Sequence, residues 1–593
     1  MRFVWAVAAF VLAALMIGAG IAQRTVFEGP KSESETISVP GDAPYILIDG
    51  AVLNSHAGSQ TLRVEGADTI FAAYGRTADL KAWLQKADYT DVAVTDGKVG
   101  TTPVRQSVRL AEGESALTPQ GSDLWLEEFS EKNVLTTPLQ LPEDMSMLVA
   151  SDGVAAAPHT LTLTWPIDHA TPWAGPLIVG GALVLAGGIV LYVLGVRHVR
   201  RSRGPRRKGL PVPVTEPIDL AVDGADKGVI SATPTRRQLT RGRRTFAVVP
   251  VVAVSALLFS GCSADAWPQF TPSATPSPTR TVVAPKDQES PVVTEAQAER
   301  IVAQIATTVA AADEARDATA AASRLAGTAL AVRETNYVLR GALPDLAALP
   351  AVPTGKLEVT LPEANDNWPR TFLAVAPAAT GDGKVMMSVT QNDAWSDYKL
   401  TYTADLTSNT ALNLAPPYVG AISIPLDSPF LAISPEKLAG AYADVLTKGA
   451  DSEFASLFDR EDDVFQTTLE ADRASRLEAF NQTGAQTGTM TFSSIAGTSA
   501  PSALATLDSG AIVAVTVDDL DTVKPTSADA VIKVDGDPGN KVVQTLSGVT
   551  QSSTGFVSTY ANQLFFFVPS QSSKERIQLL GFSSQILDAK AAP

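Results

Sequence analysis

The chain has 593 residues, of which 45% are hydrophobic and 18% are charged, and its net charge is −17. This length and composition exclude a disordered chain and predict several folded domains. The acidic balance argues against nucleic acid as a partner, because phosphate binding needs a basic surface. The single cysteine excludes an intrachain disulfide and any multi-cysteine metal site.

Residues 1–24 are predicted to form a first membrane-spanning helix. Residues 4–22 carry no charge, and a helix of that length, rising about 1.5 Å per residue, nearly spans a hydrocarbon core of about 30 Å. The alternative is a cleaved signal peptide. The apolar run is long for that class, and a clear small-residue cleavage site is missing, so we expect an uncleaved anchor.

Residues 25–172 are predicted to form an extracellular β-sandwich. Short β-branched or alternating runs are separated by Gly, Asp and Pro, which is typical of that class. The runs are 45–48, 61–65, 69–74, 92–94, 104–110, 124–129, 147–150 and 160–165. One helix is predicted over 78–86, with Leu80, Trp83 and Leu84 on one face. We expect Trp165 and Trp173 at the water–lipid boundary.

Residues 173–196 are predicted to form a second membrane helix. Its glycines and alanines permit close contact with the first helix, although such residues are also simply common in membrane helices. A basic linker, residues 197–244, follows with 13 basic and 4 acidic residues.

A cluster at the start of this linker indicates the orientation of the chain. By the positive-inside rule, these basic residues lie in the cytoplasm, where they bind anionic lipid at the membrane surface. The cluster consists of Arg197, Arg200, Arg201, Arg203, Arg206, Arg207 and Lys208. The N-terminus is then cytoplasmic, and residues 25–172 are extracellular.

Residues 245–262 form a third apolar segment that ends at Cys262. Basic residues, an apolar run and Ser260-Gly261 before the cysteine resemble a bacterial lipoprotein signal, which implies lipid attachment at Cys262. Phe259 departs from the aliphatic residue that this signal favours, and the internal position is unusual. The alternative is a plain third membrane helix. Both interpretations place the Pro/Ser/Thr-rich linker 263–293 and everything after it outside.

Residues 294–428 and 429–593 are predicted to form two α+β units, because helical patterns precede strand patterns twice. Thr294 and Gln297 form a capping box at the start of the first unit. Ser434-Pro435 opens the helix of the second. In element order, each unit resembles the NTF2-like cone, in which helices pack on a curved sheet.

Catalytic motifs are weak. No histidine follows His198, so the C-terminal region has no Ser-His-Asp triad and no histidine-ligated metal. Asp519-Leu520-Asp521 resembles the Asp-x-Asp of glycosyltransferases without their α/β context. Asp535–Asn540 opens like a calcium loop but lacks the closing Glu, and residues 461–463 are predicted to cap a helix. We predict no catalytic residue, cofactor or metal.

The alanine-rich, acidic composition and the opening residues 1–10 resemble those of uncharacterised membrane-anchored envelope proteins of actinobacteria, some labelled glycosyltransferase. The resemblance implies an envelope protein held by the lipid bilayer. Two external modules, a linker that acts as a tether and the lack of a catalytic set predict that the external domains bind a protein or wall-polymer partner. The alternatives are an enzyme of cell-surface glycan assembly that uses carboxylates, and a scaffold whose cytoplasmic linker binds a partner inside the cell.

Overall fold

The computed structural model describes residues 2–27, 30, 32–56, 58–106, 117–167, 173–202, 291–407, 412–534, 536 and 538–593. The third apolar segment, Cys262 and most of both linkers lie outside these residues, as do Asp535 and Asp537 of the calcium-like motif. The described chain divides into two compact units. One unit contains the N-terminal helix and the helix that ends at residue 202. The other unit combines residues 34–165 with residues 291–593.

Residues 2–202 contain these helices: α1 (Arg2–Thr25), α2 (Gly50–Leu53), α3 (Thr77–Trp83), which continues as a short 3-10 turn, and α4 (Ala174–Ser202). The strands are β1 (Ser32–Ser38), β2 (Tyr45–Ile48), β3 (Gln60–Arg76), β4 (Tyr89–Thr95), β5 (Lys98–Val104), β6 (Glu127–Leu139), β7 (Met145–Ala150) and β8 (Thr160–Pro166).

Helices α1 and α4 are long and apolar enough to cross a membrane, over Phe3–Thr25 and Ala174–Arg200. They correspond to the two helices predicted there from the sequence. Large apolar side chains such as Val4, Leu15 and Leu183 point away from the protein, as lipid-facing residues do. These features are consistent with a membrane-anchored protein.

The two helices pack through glycines. A Cβ atom at Gly181 would lie 2.6 Å from the Ile17 side chain, and one at Gly188 would lie 3.0 Å from the Phe10 ring. Gly195 faces the ring of Phe3 in the same way. These glycines are seven residues apart and therefore share one face of α4, where the missing side chains let the helices approach closely.

Residues 34–165 form one eight-stranded mixed sheet in the order β1-β8-β3-β7-β2-β4-β5, with β6 on the far side of β3. Strand β8 pairs with the first half of β3 and β7 with the second half, on the same side. The sheet therefore branches where β3 bends, at Gly66, whose φ of +106° suits a residue without a side chain.

Side chains from both branches meet in a single core, where Ile46 and Met147 of one branch join Leu161 and Trp165 of the other. The predicted β-sandwich thus differs from the structure in connectivity, because both layers belong to one folded sheet. Trp165 is fully buried and its indole donates to the carbonyl of Leu53 over 3.0 Å. The prediction that it lies at the lipid boundary was wrong, whereas Trp173 is exposed.

Residues 291–593 contain these helices: α5 (Glu295–Ala315), α6 (Ala318–Arg324), α7 (Gly327–Ala342), α8 (Pro435–Lys448), α9 (Val464–Thr483) and α10 (Pro538–Ser547). The strands are β9 (Val359–Pro362), β10 (Arg370–Pro377), β11 (Lys384–Gln391), β12 (Lys399–Leu406), β13 (Gly488–Ala496), β14 (Ser502–Ala505), β15 (Ala511–Pro525), β16 (Ile532–Lys533), β17 (Gln551–Ser552), β18 (Phe556–Val568) and β19 (Gln578–Ala591).

Local sequence signals explain the helix starts. The Thr294 hydroxyl and the Gln297 amide form the predicted capping box of α5. Asp463 caps α9 by accepting from the amide of Gln466 over 2.8 Å, which confirms the predicted role of the acidic residues 461–463. The predicted order of helices before strands occurs twice.

The strands of both predicted units form one sheet, in the order β13-β15-β18-β19-β12-β11-β10-β9. Each half contributes a run of antiparallel strands, and the halves meet through their last strands, β19 and β12. The seam has two paired positions, Asp405 with Phe582 and Leu406 with Gly581. The α+β units therefore share a sheet, and their NTF2-like character stays a prediction.

Residues 421–424 join the two edges of this sheet. Ala421 donates to the carbonyl of Pro362 at the end of β9 over 2.7 Å, and Ile424 donates to Ala503 of β14 over 3.0 Å. Since β14 pairs with β15, the ring of strands closes into a barrel, which leaves no free edge along this path.

Alternation along the strands sorts side chains between two environments. Phe372 and Met387 of one half, and Val513 and Phe566 of the other, face outward and pack against helices. The intervening residues, such as Phe565, face inward and fill the barrel. The barrel therefore has a dry interior and an outer layer of helices.

Candidate functional site

A cavity of about 520 Å3 opens at one mouth of the barrel. Its wall is formed by β10, β11, β12 and β14, by the loop 423–426 and by the approach to β14 at 499–501. This volume lies in the range of small-molecule sites, which often occupy the mouths of β-barrels. The cavity is therefore our candidate functional site.

Glu363 is the carboxylate of this cavity, and it lies just after β9, beside the segment that closes the ring. One carboxylate oxygen accepts from the Thr371 amide over 2.9 Å, and the other accepts from the Asn365 side chain over 3.1 Å. Burial raises the pKa of Glu363, while these hydrogen bonds and one from Ser423 oppose that shift. The carboxylate is thus held in a fixed position at the cavity wall.

Hydroxyl groups form much of the remaining polar lining, namely those of Thr371, Thr390, Thr401, Ser423, Ser499 and Ser502. Several of their protons are already used within the protein. Thr401 donates to the carbonyl of Ser388 over 3.0 Å, and one of the Thr371 and Thr390 hydroxyls donates to the other over 3.0 Å. Because each hydroxyl oxygen has two lone pairs, these threonine hydroxyls offer more acceptors than donors.

The cavity stops at the barrel interior. Side chains such as Leu373, Val375, Phe565 and Phe567 are buried there and fill the space between the strands. A long apolar chain therefore finds no channel through the barrel. The site is suited to a compact ligand held at the mouth.

The Asp519-Leu520-Asp521 motif lies elsewhere, on the outer face of β15 beneath α9. Arg473 pairs with Asp519 and Arg476 pairs with Asp521. The Ser494 hydroxyl also donates to Asp519 over 3.0 Å. Burial raises the pKa of Asp521 to about 6, more than the attraction of Arg476 lowers it.

Two guanidinium groups thus occupy the space in which an Asp-x-Asp motif would hold a divalent cation. Within the described residues, no group of His, Cys, Asp or Glu is arranged to hold a metal ion. The motif instead fixes helix α9 to the sheet through buried ion pairs. It resembles a glycosyltransferase site in sequence but not in structure.

A second arrangement of buried charges joins residues 34–165 to residues 291–593. Arg370, at the start of β10, is fully buried and pairs with Asp79 of α3 over 2.7 Å. Asp79 also accepts from Arg76 over 2.8 Å. The guanidinium of Arg370 lies 3.7 Å above the ring of Trp368.

Asp123 forms another ionic contact between these two parts. Its carboxylate pairs with Arg324 and accepts from the Tyr398 amide over 2.8 Å. Its own carbonyl accepts from the Gln297 side chain over 2.6 Å. Apolar contacts surround these charges, and Ala394 is buried among Trp83 and its neighbours. We call this surface the segment interface.

The membrane-associated residues predicted from the sequence fall partly within the structure. Arg197, Arg200 and Arg201 lie in the last turns of α4, which extends to Ser202. Arg203, Arg206, Arg207, Lys208 and Cys262, the predicted lipid-attachment residue, lie outside the described residues.

Sequence reasoning missed Glu363 and the ionic contacts of the segment interface. Glu363 has no motif around it, and its role depends on a loop about 60 residues further along the chain. Arg370 and Asp79 are 291 residues apart. Neither local pattern nor spacing indicates such pairs, and the lone acidic and basic residues resemble ordinary surface charges.

Comparison with protein-family models finds a match to the family described as Domain of unknown function (DUF8094) over residues 289–591. The match covers just over half of the 593 residues. The chain belongs to this family. The DUF8094 region begins just before α5 and contains the whole barrel with its helices, including the cavity at Glu363. No curated protein and no solved structure matches the chain.

Proposed function

We propose that this chain is a membrane-anchored cell-envelope protein, of the kind found in actinobacteria, whose external part binds a polymer of the cell wall. The observation that carries the binding role is the cavity at the barrel mouth, with its fixed carboxylate Glu363 and its hydroxyl lining. The anchor is the helix pair α1 and α4, with the basic residues after α4 on the cytoplasmic surface.

The segment interface supports the predicted topology. Because Arg370 and Asp79 form a buried pair, residues 34–165 and 291–593 lie in the same compartment. If α4 crosses the membrane, the chain must cross back between residues 203 and 290. The uncharged run 245–261 can do so as a third helix, or Cys262 can carry lipid at the outer surface.

Cysteine labelling tests this topology. In a Cys262→Ser background, Ala221→Cys is expected to resist a membrane-impermeant reagent on intact cells and to react after permeabilisation, because residue 221 lies in the cytoplasmic linker. Ala485→Cys, at an exposed position of the external part, serves as the matched control and is expected to react on intact cells. Labelling of position 221 on intact cells contradicts the proposal.

The cavity favours binding over catalysis. Glycoside hydrolysis commonly uses two carboxyl groups on opposite sides of the bond that breaks. Glu363 is the single carboxylate among the described residues that line the cavity, and Asp519 and Asp521 are engaged with arginines. The alternative, an enzyme of surface glycan assembly, has no specific observation in its favour in the described part of the chain.

Sedimentation with isolated cell walls tests the binding role. We expect the full-length protein in detergent to sediment with walls, and Ala500→Trp to reduce the bound fraction at least fivefold, because Ala500 lines the mouth and a large side chain there blocks it. Ala485→Trp introduces the same side chain at an exposed site away from the cavity and is expected to bind normally. A wild-type protein that stays in the supernatant overturns the proposal.

A further inference from the structure

We propose that the cavity at the barrel mouth binds an uncharged saccharide unit, with Glu363 accepting hydrogen bonds from its hydroxyl groups. This inference rests on the proposed function, since it names the chemical class of ligand for the same site. Three properties of the cavity support it: its charge, its balance of donors and acceptors, and its shape.

Charge excludes an anionic ligand. None of the described residues lining the cavity is Lys, Arg or His, and Glu363 contributes a carboxylate. A phosphate or carboxylate group in this site would be buried beside a like charge, and the neighbouring cation, Arg370, which lowers the pKa of Glu363, is already paired with Asp79; this is unfavourable. Nucleotides and phosphorylated sugars are therefore poor ligands for this cavity.

The balance of donors and acceptors calls for a ligand rich in donors. The Tyr402 hydroxyl donates to the carbonyl of Ala500 over 2.7 Å, and Thr401 donates to the backbone of Ser388. Their oxygens keep lone pairs that can still accept. A sugar ring carries several hydroxyl groups close together, so it can donate to these oxygens and to Glu363 at the same time.

The shape of the cavity suits a ring with an apolar face. Pro369, Ile424, Pro425 and Leu426 form an apolar part of the lining, against which the C–H face of a sugar can pack. The filled barrel interior, with Phe565 fully buried, leaves no room for an acyl chain. A compact polyhydroxylated ring therefore fits better than a lipid.

Saturation-transfer NMR on the full-length protein, in a detergent without a sugar head group, tests the inference. The probes are glucose, galactose, mannose, arabinose and N-acetylglucosamine, with glucose 6-phosphate as the anionic arm and glucosamine as the cationic arm. We expect at least one neutral sugar to bind, and glucose 6-phosphate to bind at least tenfold more weakly than glucose. Ala500→Trp is expected to abolish binding, while Ala485→Trp leaves it unchanged.

Two further variants test the role of the lining. Glu363→Gln keeps the size of the side chain and is expected to weaken sugar binding about tenfold, because a hydrogen bond to a charged group is lost. Thr390→Val removes one hydroxyl without changing shape and is expected to weaken binding about threefold. It also provides the test if Glu363→Gln fails to fold.

The outcomes separate this inference from the proposed function. If no neutral sugar binds, or if binding survives Ala500→Trp, the saccharide assignment is wrong. If walls still retain the protein in a manner sensitive to Ala500→Trp, the binding role stands and another ligand class fills the cavity. If glucose 6-phosphate binds more tightly than every neutral sugar, the charge argument is overturned. If glucosamine binds more tightly than every neutral sugar, the ligand is a cationic sugar and the assignment to an uncharged one is wrong.

Discussion

Replacement of Arg370 by methionine is expected to lower the free energy of unfolding by about 3–5 kcal/mol, the range for breaking a buried ion pair from one side. Methionine keeps much of the side-chain volume but removes the positive charge. Asp79, which is 2% exposed, then keeps only part of its compensation, from Arg76. The lost ion pair lies in the segment interface, so residues 34–165 and residues 291–593 are both destabilised.

Urea unfolding of the full-length protein in detergent, followed by tryptophan fluorescence, measures this effect, because Trp83 and Trp395 lie at the interface. The matched control is Arg63→Met, since Arg63 pairs with Glu65 at the surface, where the two side chains are 54% and 39% exposed. Exposed pairs contribute about 0–1 kcal/mol. Equal stability of the two variants would show that the Arg370 pair does not hold the parts together.

Replacement of Gly581 by valine is expected to lower the free energy of unfolding by about 3 kcal/mol, at the upper end of the usual cost of overpacking. A Cβ atom at this position would lie 2.5 Å from the Asp405 carbonyl oxygen and 3.2 Å from the Leu406 Cα atom. Both neighbours are backbone atoms, so relief requires β12 and β19 to separate. This seam joins the two halves of the barrel.

Hydrogen exchange localises the effect. The Thr407 amide donates to the carbonyl of Leu580 over 2.9 Å, next to the seam, and its exchange is expected to accelerate in Gly581→Val because the seam opens more often. Gly100→Val is the matched control, since Gly100 also lies in a strand but its Cβ atom would meet only the Ala93 carbonyl at 4.0 Å. Unchanged exchange at Thr407 would contradict this prediction.

Local sequence signals predicted many of the elements. The uncharged runs correspond to helices α1 and α4, and the capping box at Thr294 marks the start of α5. Strand β2 was predicted with the bounds that the structure has, and β8 to within one residue, because apolar and β-branched residues dominate them. Where a glycine interrupts a strand pattern, the prediction was poorer: the runs 61–65 and 69–74 were predicted as separate strands, whereas the structure has one strand, β3, that continues through Gly66.

Pairing between distant segments could not be predicted. The two α+β patterns are locally complete, so nothing in either half indicates that β12 and β19 share a sheet or that residues 421–424 close a ring. The same limit applies to the candidate site. Glu363 lines the cavity only because residues 421–424 close the ring of strands. Asp519 resembles a metal ligand in the sequence, but in the structure Arg473 of α9 pairs with it.

The segment interface also constrains how the protein is made. Asp123 and Arg324 are 201 residues apart, and at about 5–20 residues per second the ribosome needs roughly 10–40 seconds to synthesise the chain between them. During that interval, residues 34–165 lack their partner, and the carboxylates of Asp79 and Asp123 lack the arginines that pair with them across the segment interface. Chaperones and proteases therefore meet an incomplete protein first, and quality control has a defined interval in which to act on it.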